Sequence, residues 1–231
     1  MPEARVRDRG ALHVYLGSAP GVGKTYAMLS EGRRLSSAGV DVVAGWVETH
    51  GRVDTGAMLS ACERVAPVPV AHHGSTFDEM DADGITARRP AVVLVDELAH
   101  TNVPGSRREK RWQDVDALLA VGIGVITTLN VMHIESLSAS IERITGVLPH
   151  ETVPDAFVSS ADRIDLVDVS PEVLRRRVEE GSVVAPEASA AALGGLFNAS
   201  TLAALRDLAT RWLDIRGLLV PPVTSSFLDA P

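Results

Sequence analysis

With 231 residues, 45% hydrophobic and 23% charged, the chain has the composition of an ordinary globular protein, long enough for one full α/β core and an accessory element. Its 22 basic against 30 acidic residues give a net charge of −8, which argues against general attraction to nucleic acid or to an anionic membrane surface. The lone Cys62 excludes an intrachain disulfide and a cysteine metal cage, and with no signal peptide and no apolar run of about 20 residues in the sequence, a location in the reducing cytoplasm is expected without direct membrane insertion.

Residues 1–9 are charged and read as a flexible end. Strand-like apolar runs recur at 11–17, 40–47, 91–95, 123–129 and 164–169, and segments with helical spacing lie between them at 24–37, 111–121 and 134–145. This alternation predicts an α/β fold, a parallel sheet with helices on both faces. The run Val68-Pro69-Val70-Ala71-His72 reads as an extra strand that Pro69 confines to an edge, followed by an acidic helix over 76–88. Beyond Asp168 only helices are expected, at 171–180 between Pro171 and Gly181, then at 186–196 and 200–215. The domain reading is a nucleotide-binding core at 10–169, a C-terminal helical subdomain at 170–216, and flexible ends at 1–9 and 217–231.

The strongest chemical signal is Gly17-Ser-Ala-Pro-Gly-Val-Gly-Lys-Thr25, directly after the first apolar run. Gly21 and Gly23 permit backbone angles and close approaches that let successive amides face phosphate oxygens. Lys24 supplies a positive charge for the β- and γ-phosphates, and Thr25 a hydroxyl for Mg²⁺ at the positive end of a helix. Pro20, Gly21, Val22, Gly23, Lys24, Thr25 and Tyr26 are the candidate binding residues, and the sheet becomes P-loop NTPase-like. The pattern G-x-x-x-x-G-K-[ST] requires glycine at position 18; here Ser18 stands there and the glycine comes one residue earlier, at Gly17.

Four strand ends are expected to converge on one crevice at the carboxyl edge of the sheet. Ala91–Val95 runs into Asp96, a candidate Mg²⁺ ligand, and Glu97, the candidate general base. Asn130 ends the next inner strand, where its amide is suited to sense a γ-phosphate or orient the attacking group; a turn residue is the alternative. Glu48 and His50 fall on the same rim. His50, His100 and His133 all follow strands, but their wide spacing disfavours a metal site. The segment 101–112 holds Arg107, Arg108, Lys110 and Arg111, with Arg107, Arg108 or Arg111, of this chain or a neighbouring one, as the candidate to stabilise moving phosphoryl charge and a solvated loop as the other reading. The run Arg175-Arg176-Arg177 reads as a solvated face or a contact for an acidic partner.

Several stretches together resemble the amino-terminal cytoplasmic domain of the Kdp-type potassium and turgor sensor kinases. They are 17–29, Val47-Glu-Thr-His-Gly-Arg52, Leu94-Val-Asp-Glu-Leu-Ala-His-Thr-Asn102, Pro104–Arg107, Lys110–Val115, Thr127–Val131 and Glu151–Asp155. The resemblance covers roughly residues 10–215. It implies an ATP- and Mg²⁺-binding regulatory domain that couples nucleotide to potassium uptake, partnered by a pump subunit, by the remainder of the sensor kinase, or by a second copy of itself in a homodimer. In the family this domain precedes a universal-stress-like domain, membrane helices that tether it to the inner membrane, and a histidine kinase core; none of those is legible here. Phosphoryl transfer to a protein serine or threonine, or to water, is one reading. A non-hydrolysing ATP sensor is another, and a nucleoside-type kinase is weaker because no lid or base-specific segment is evident.

Overall fold

The computed structural model describes residues 9–217, so the ends expected to be flexible fall, apart from Arg9 and Gly217, outside the described residues. In chain order the elements are β1 (Leu12–Gly17), α1 (Lys24–Ser37), β2 (Val42–Trp46), α2 (Val53–Ser60), β3 (Glu63–Arg64), β4 (Val68–His72), β5 (Ser75–Glu79), α3 (Ala82–Arg88), β6 (Val92–Val95), α4 (Arg111–Ala120), β7 (Gly124–Asn130), α5 (Ser138–Thr145), α6 (Asp155–Ser159), β8 (Arg163–Val167), α7 (Pro171–Glu179), α8 (Ser189–Gly194) and α9 (Ala199–Ile215).

Six strands form one sheet in the order β3-β2-β6-β7-β1-β8, and the β2–β3, β2–β6 and β6–β7 pairings are parallel. Parallel strands covered on both faces read as unbroken apolar runs; accordingly Val93, Leu94 and Val95 of β6 are fully buried. The result is an α/β sheet with helices around it and further helices at its C-terminal end.

Two expectations are corrected. The acidic stretch 76–88 is not one helix: Ser75–Glu79 is β5, pairing antiparallel with β4 in a separate two-stranded sheet. Its turn is His73-Gly74, both at positive φ (48° and 79°), the geometry of a tight hairpin that acidic composition conceals. Helix α3 begins only after Asp81, whose carboxylate accepts from the Gly84 amide at 2.7 Å. The helix expected over 134–145 starts at Ser138, after 3₁₀ turns at Val131–His133 and Glu135–Leu137. Helices α2 and α6 and the short β3 had no clear periodic signal.

The described residues fall into two compact units, 9–13 with 28–127 and 14–27 with 128–217. In the first, Val43, Val93, Leu94, Ile85 and Val115 are core, and α1 packs so closely on β6 that a Cβ on Gly32 would stand 2.6 Å from Leu94. In the second, α9 buries the stripe Leu202, Leu205, Ala209, Trp212 and Leu213. Helix α7 opens on Ser170, whose hydroxyl accepts from the Val173 amide, with Pro171 in its first turn. Among the described residues no single helix is long and apolar enough to cross a membrane; 186–194 and 199–215 reach that length only as a pair bent by 73°.

Candidate functional site

The glycine loop lies wholly in the second unit. Gly21 (φ 83°) and Gly23 (φ 105°) occupy the left-handed region, which any L side chain would enter at a cost. A Cβ on Gly23 would find nothing within 4 Å, so the loop is open on that side. The displaced glycine has a reason: a Cβ on Gly17 would lie 2.6 Å from the Lys24 stem and 2.9 Å from Val22. Ser18 is 4% exposed and its hydroxyl donates to Asp168 at 2.7 Å, so this position anchors the loop.

Lys24 opens α1 and turns its ammonium to Asn130 Oδ1 at 2.5 Å and the Ala19 carbonyl at 3.3 Å. The structure thus brings together Lys24 and Asn130, two residues picked out separately. Thr25 and Tyr26 follow in the first turn of α1, and Pro20 occupies the turn before Gly21. An open glycine turn, a helix start and an ammonium held alongside fit the phosphate of a nucleotide.

His133 joins this group. Its Nδ1 donates to the Glu151 carbonyl at 2.8 Å. Burial pushes its pKa down, the bond to Glu151 opposes the shift, and the Lys24 charge adds to it, so the ring is favoured neutral with Nε2 left as an acceptor.

The carboxylates lie in the first unit. Asp96 is 2% exposed; its Oδ1 accepts from the Glu97 amide at 3.2 Å and its Oδ2 from the Glu48 amide at 3.4 Å. Beside it Arg52 has its pKa lowered by burial and raised by Asp96. Glu97 stands at φ 55° and His50 at φ 49°, with His50 Nε2 3.5 Å from Glu97 Oε1. Left-handed backbone at two non-glycine neighbours is strain that the surroundings enforce. Partial loss of hydration raises the Glu97 pKa first; Asp96 and Glu48 push the same way, against Arg111 and His50. The register shift between Ala44 and Trp46, where β2 pairs with β6, re-aims the chain just before Glu48.

Arg111 corrects an expectation: it is fully buried and is no mobile phosphate-reaching arm. Its guanidinium lies 4.7 Å over the Trp46 ring, bonds Glu79 at 3.4 Å and donates to the Asp96 backbone carbonyl at 3.4 Å. Glu79, itself buried, also accepts from the Val103 amide at 2.7 Å and contacts His100 at 3.1 Å. Most of the basic loop is absorbed likewise: Arg108 binds Asp114 at 2.9 Å and Lys110 donates to Thr101 at 2.6 Å. Arg107 alone of the three arginines stays exposed, paired with Asp83 at 2.6 Å.

Sequence reasoning missed Asp168, Glu79 and Arg52, and it read Arg175–Arg177 as a surface. Arg175 instead donates to the Leu193 and Phe197 carbonyls, and Arg177 to the Gly21 carbonyl at 3.0 Å. Asp168 had a findable signal, a carboxylate just after an apolar strand; an arginine bound to a backbone carbonyl leaves none. Among the described residues no group of three or more His, Cys, Asp or Glu is placed to hold a metal ion.

The family described as "KdpD: Osmosensitive K+ channel His kinase sensor domain" matches residues 8–216. The chain is 51% identical over 213 residues to "Sensor protein KdpD" of Mycobacterium tuberculosis (strain ATCC 25618 / H37Rv), covering 92% of this chain and 25% of that one. It is 50% identical over 206 residues to "Sensor protein KdpD" of Escherichia coli K12, covering 88% and 23%. With the "Putative sensor protein KdpD" of Synechocystis it shares 47% over 203 residues, covering 88% and 55%. The chain therefore spans about a quarter of the length of the first two.

Proposed function

The chain belongs to the KdpD sensor-domain family, and from that footing we propose that it binds Mg-ATP and passes the γ-phosphoryl group to a serine or threonine of a protein in the potassium-uptake system, with water as the alternative acceptor. One observation carries the reading: an open glycine turn at the head of α1, with the Lys24 ammonium resting on Asn130 Oδ1 at 2.5 Å. Asn130 holds the lysine head group ready, and both exchange partners when a phosphate oxygen arrives. The backbone of 20–26 binds the phosphates, and Thr25 and Asp96 are assigned to the metal. Bound Mg-ATP supplies an activated phosphoryl group; the protein supplies positioning and charge. Glu97 is assigned to take the proton of the attacking hydroxyl. Partners are a pump subunit or the remainder of a sensor kinase.

A non-hydrolysing sensor is the second reading, favoured by Arg111 being committed to Glu79 and Trp46 rather than available to stabilise moving charge. Incubation with γ-labelled ATP, alone and with potassium-pump subunits, tests both. Labelled partner or released phosphate, lost in Glu97→Gln while ATP binding persists, supports transfer. Tight binding with neither product favours the sensor. No binding, or binding unchanged in Lys24→Ala, overturns both.

A further inference from the structure

Two residues of the glycine loop are gripped by residues that follow β8, Asp168 before α7 and Arg177 within it, and these grips belong to no part of the motif. Ser18 donates to Asp168, which is also paired with Arg206 of α9 at 2.5 Å. The Gly21 carbonyl accepts from Arg177 of α7 at 3.0 Å. The same glycine is pressed from that side, since a Cβ on it would stand 2.6 Å from Val183 and 3.1 Å from Leu174. Helix α7 is anchored without help from the loop: Leu174 and Val178 are buried, Arg175 is bonded to the Leu193 and Phe197 carbonyls, and Ser189 donates to the Val178 carbonyl at 2.9 Å.

The consequence follows from peptide geometry. In a trans peptide the carbonyl and the next N–H point in opposite directions, and no peptide in the described residues is cis. An arginine holding the Gly21 oxygen therefore aims the Val22 N–H away from α7, and its charge polarises that N–H into a stronger donor.

We propose that Arg177 and Asp168 are positioning residues that hold the glycine loop in its anion-receiving shape, with α7 as the fixed support. The ligand class, a nucleotide phosphate, rests on the reading of the previous subsection; the tether itself does not.

Backbone hydrogen exchange on the 231-residue chain tests it, first without nucleotide. Arg177→Ala is expected to speed exchange across residues 18–26 about tenfold, the loss of one charge-assisted hydrogen bond, while α9 stays protected. Arg177→Lys, which keeps a charged donor, restores most of the protection, and Asp168→Asn loosens the segment near Ser18. Should Arg177→Ala unfold the chain, Arg177→Met, which keeps the packed stem, replaces it with the same expectation. With Mg-ATP added, Arg177→Ala weakens binding about tenfold and Arg177→Lys less. Unchanged loop exchange in the alanine or methionine variant overturns the tether, whatever nucleotide does. If the unmutated chain binds no Mg-ATP yet the variant loosens the loop, the tether stands and the nucleotide reading falls.

Discussion

The glycine loop and the carboxylate cluster are made by opposite means. The loop is nine consecutive residues, 17–25, whose unusual backbone angles fall on glycines, so its shape costs little and is built in from the start. The cluster draws on residues 46–52, 79, 96–97 and 111, and its unusual angles fall on His50 and Glu97, non-glycine residues that enter that region only at a cost. Buried charge holds it: a fully buried arginine over Trp46, matched by a buried glutamate. A local segment can be permissive and still exact in shape; a site assembled from distant segments must be enforced by its packing.

Removing the enforcement tests this contrast most severely. Arg111→Ala leaves Glu79 buried without its countercharge and opens a void over Trp46. The expected loss is about 3–5 kcal/mol, read from urea unfolding, and Arg111→Met with Glu79→Gln should recover much of it. Lys24→Ala, in the other region, removes a side chain whose ammonium bonds the Asn130 amide oxygen and the Ala19 carbonyl. It should cost about 1–2 kcal/mol while abolishing nucleotide binding. Comparable destabilisation by the two substitutions would erase the distinction.

The strain at Glu97 gives a smaller, sharper measure. An L residue in the left-handed region costs about 1–2 kcal/mol, against roughly 0.4–1 kcal/mol for the extra unfolded-state freedom of glycine. Glu97→Gly should therefore be more stable than Glu97→Gln by about 0.5–1 kcal/mol, with both lacking the carboxylate. Equal stabilities would mean that the residue is unstrained.

The same contrast explains what could be read from the chain. Periodicity gave the five main strands of the sheet, and helices α1, α4, α7 and α9 to within a residue or two, because a parallel core needs continuous apolar runs and its helices carry caps such as Pro171 and Gly181. The places of Lys24, Asp96 and Glu97 in the fold were legible because they attach to local order: a glycine turn and the end of an apolar strand. Arg111 and Arg177 were not. A guanidinium is read from sequence as a surface group, and only tertiary structure reveals that one lies on Trp46 and the other on a carbonyl oxygen. The β4–β5 hairpin was hidden because acidic residues suggested a helix while the turn was carried by His73-Gly74, a pair less telling than Asn-Gly.

His133 adds a dependence on pH confined to the loop side. Its pKa is lowered from the usual 6.5, chiefly by burial, so the folded state holds fewer protons on this ring than the unfolded one. Its share of stability is complete above about pH 6.5 and is lost as pH falls below that value toward the folded pKa. His133→Gln, which can still donate to the Glu151 carbonyl, should show a shallower decline in urea midpoint between about pH 7 and 5. Parallel curves would mean that the ring is not held neutral.

Arg107 sets the lower limit. Its pair with Asp83 is short, 2.6 Å, but the two side chains are 69% and 70% exposed, and exposed pairs contribute about 0–1 kcal/mol because water already solvates both charges. Arg107→Ala should shift stability by less than about 0.5 kcal/mol, and less still in high salt. Since Arg111 is locked away and Arg108 is bound to Asp114, Arg107 is the arginine of this loop that can reach a ligand without breaking buried structure. A fall in phosphoryl transfer with the unfolding midpoint unchanged would give the carboxylate region the mobile charge that its packing otherwise denies it. Unchanged transfer would leave Lys24 as the charge on which transfer mainly depends.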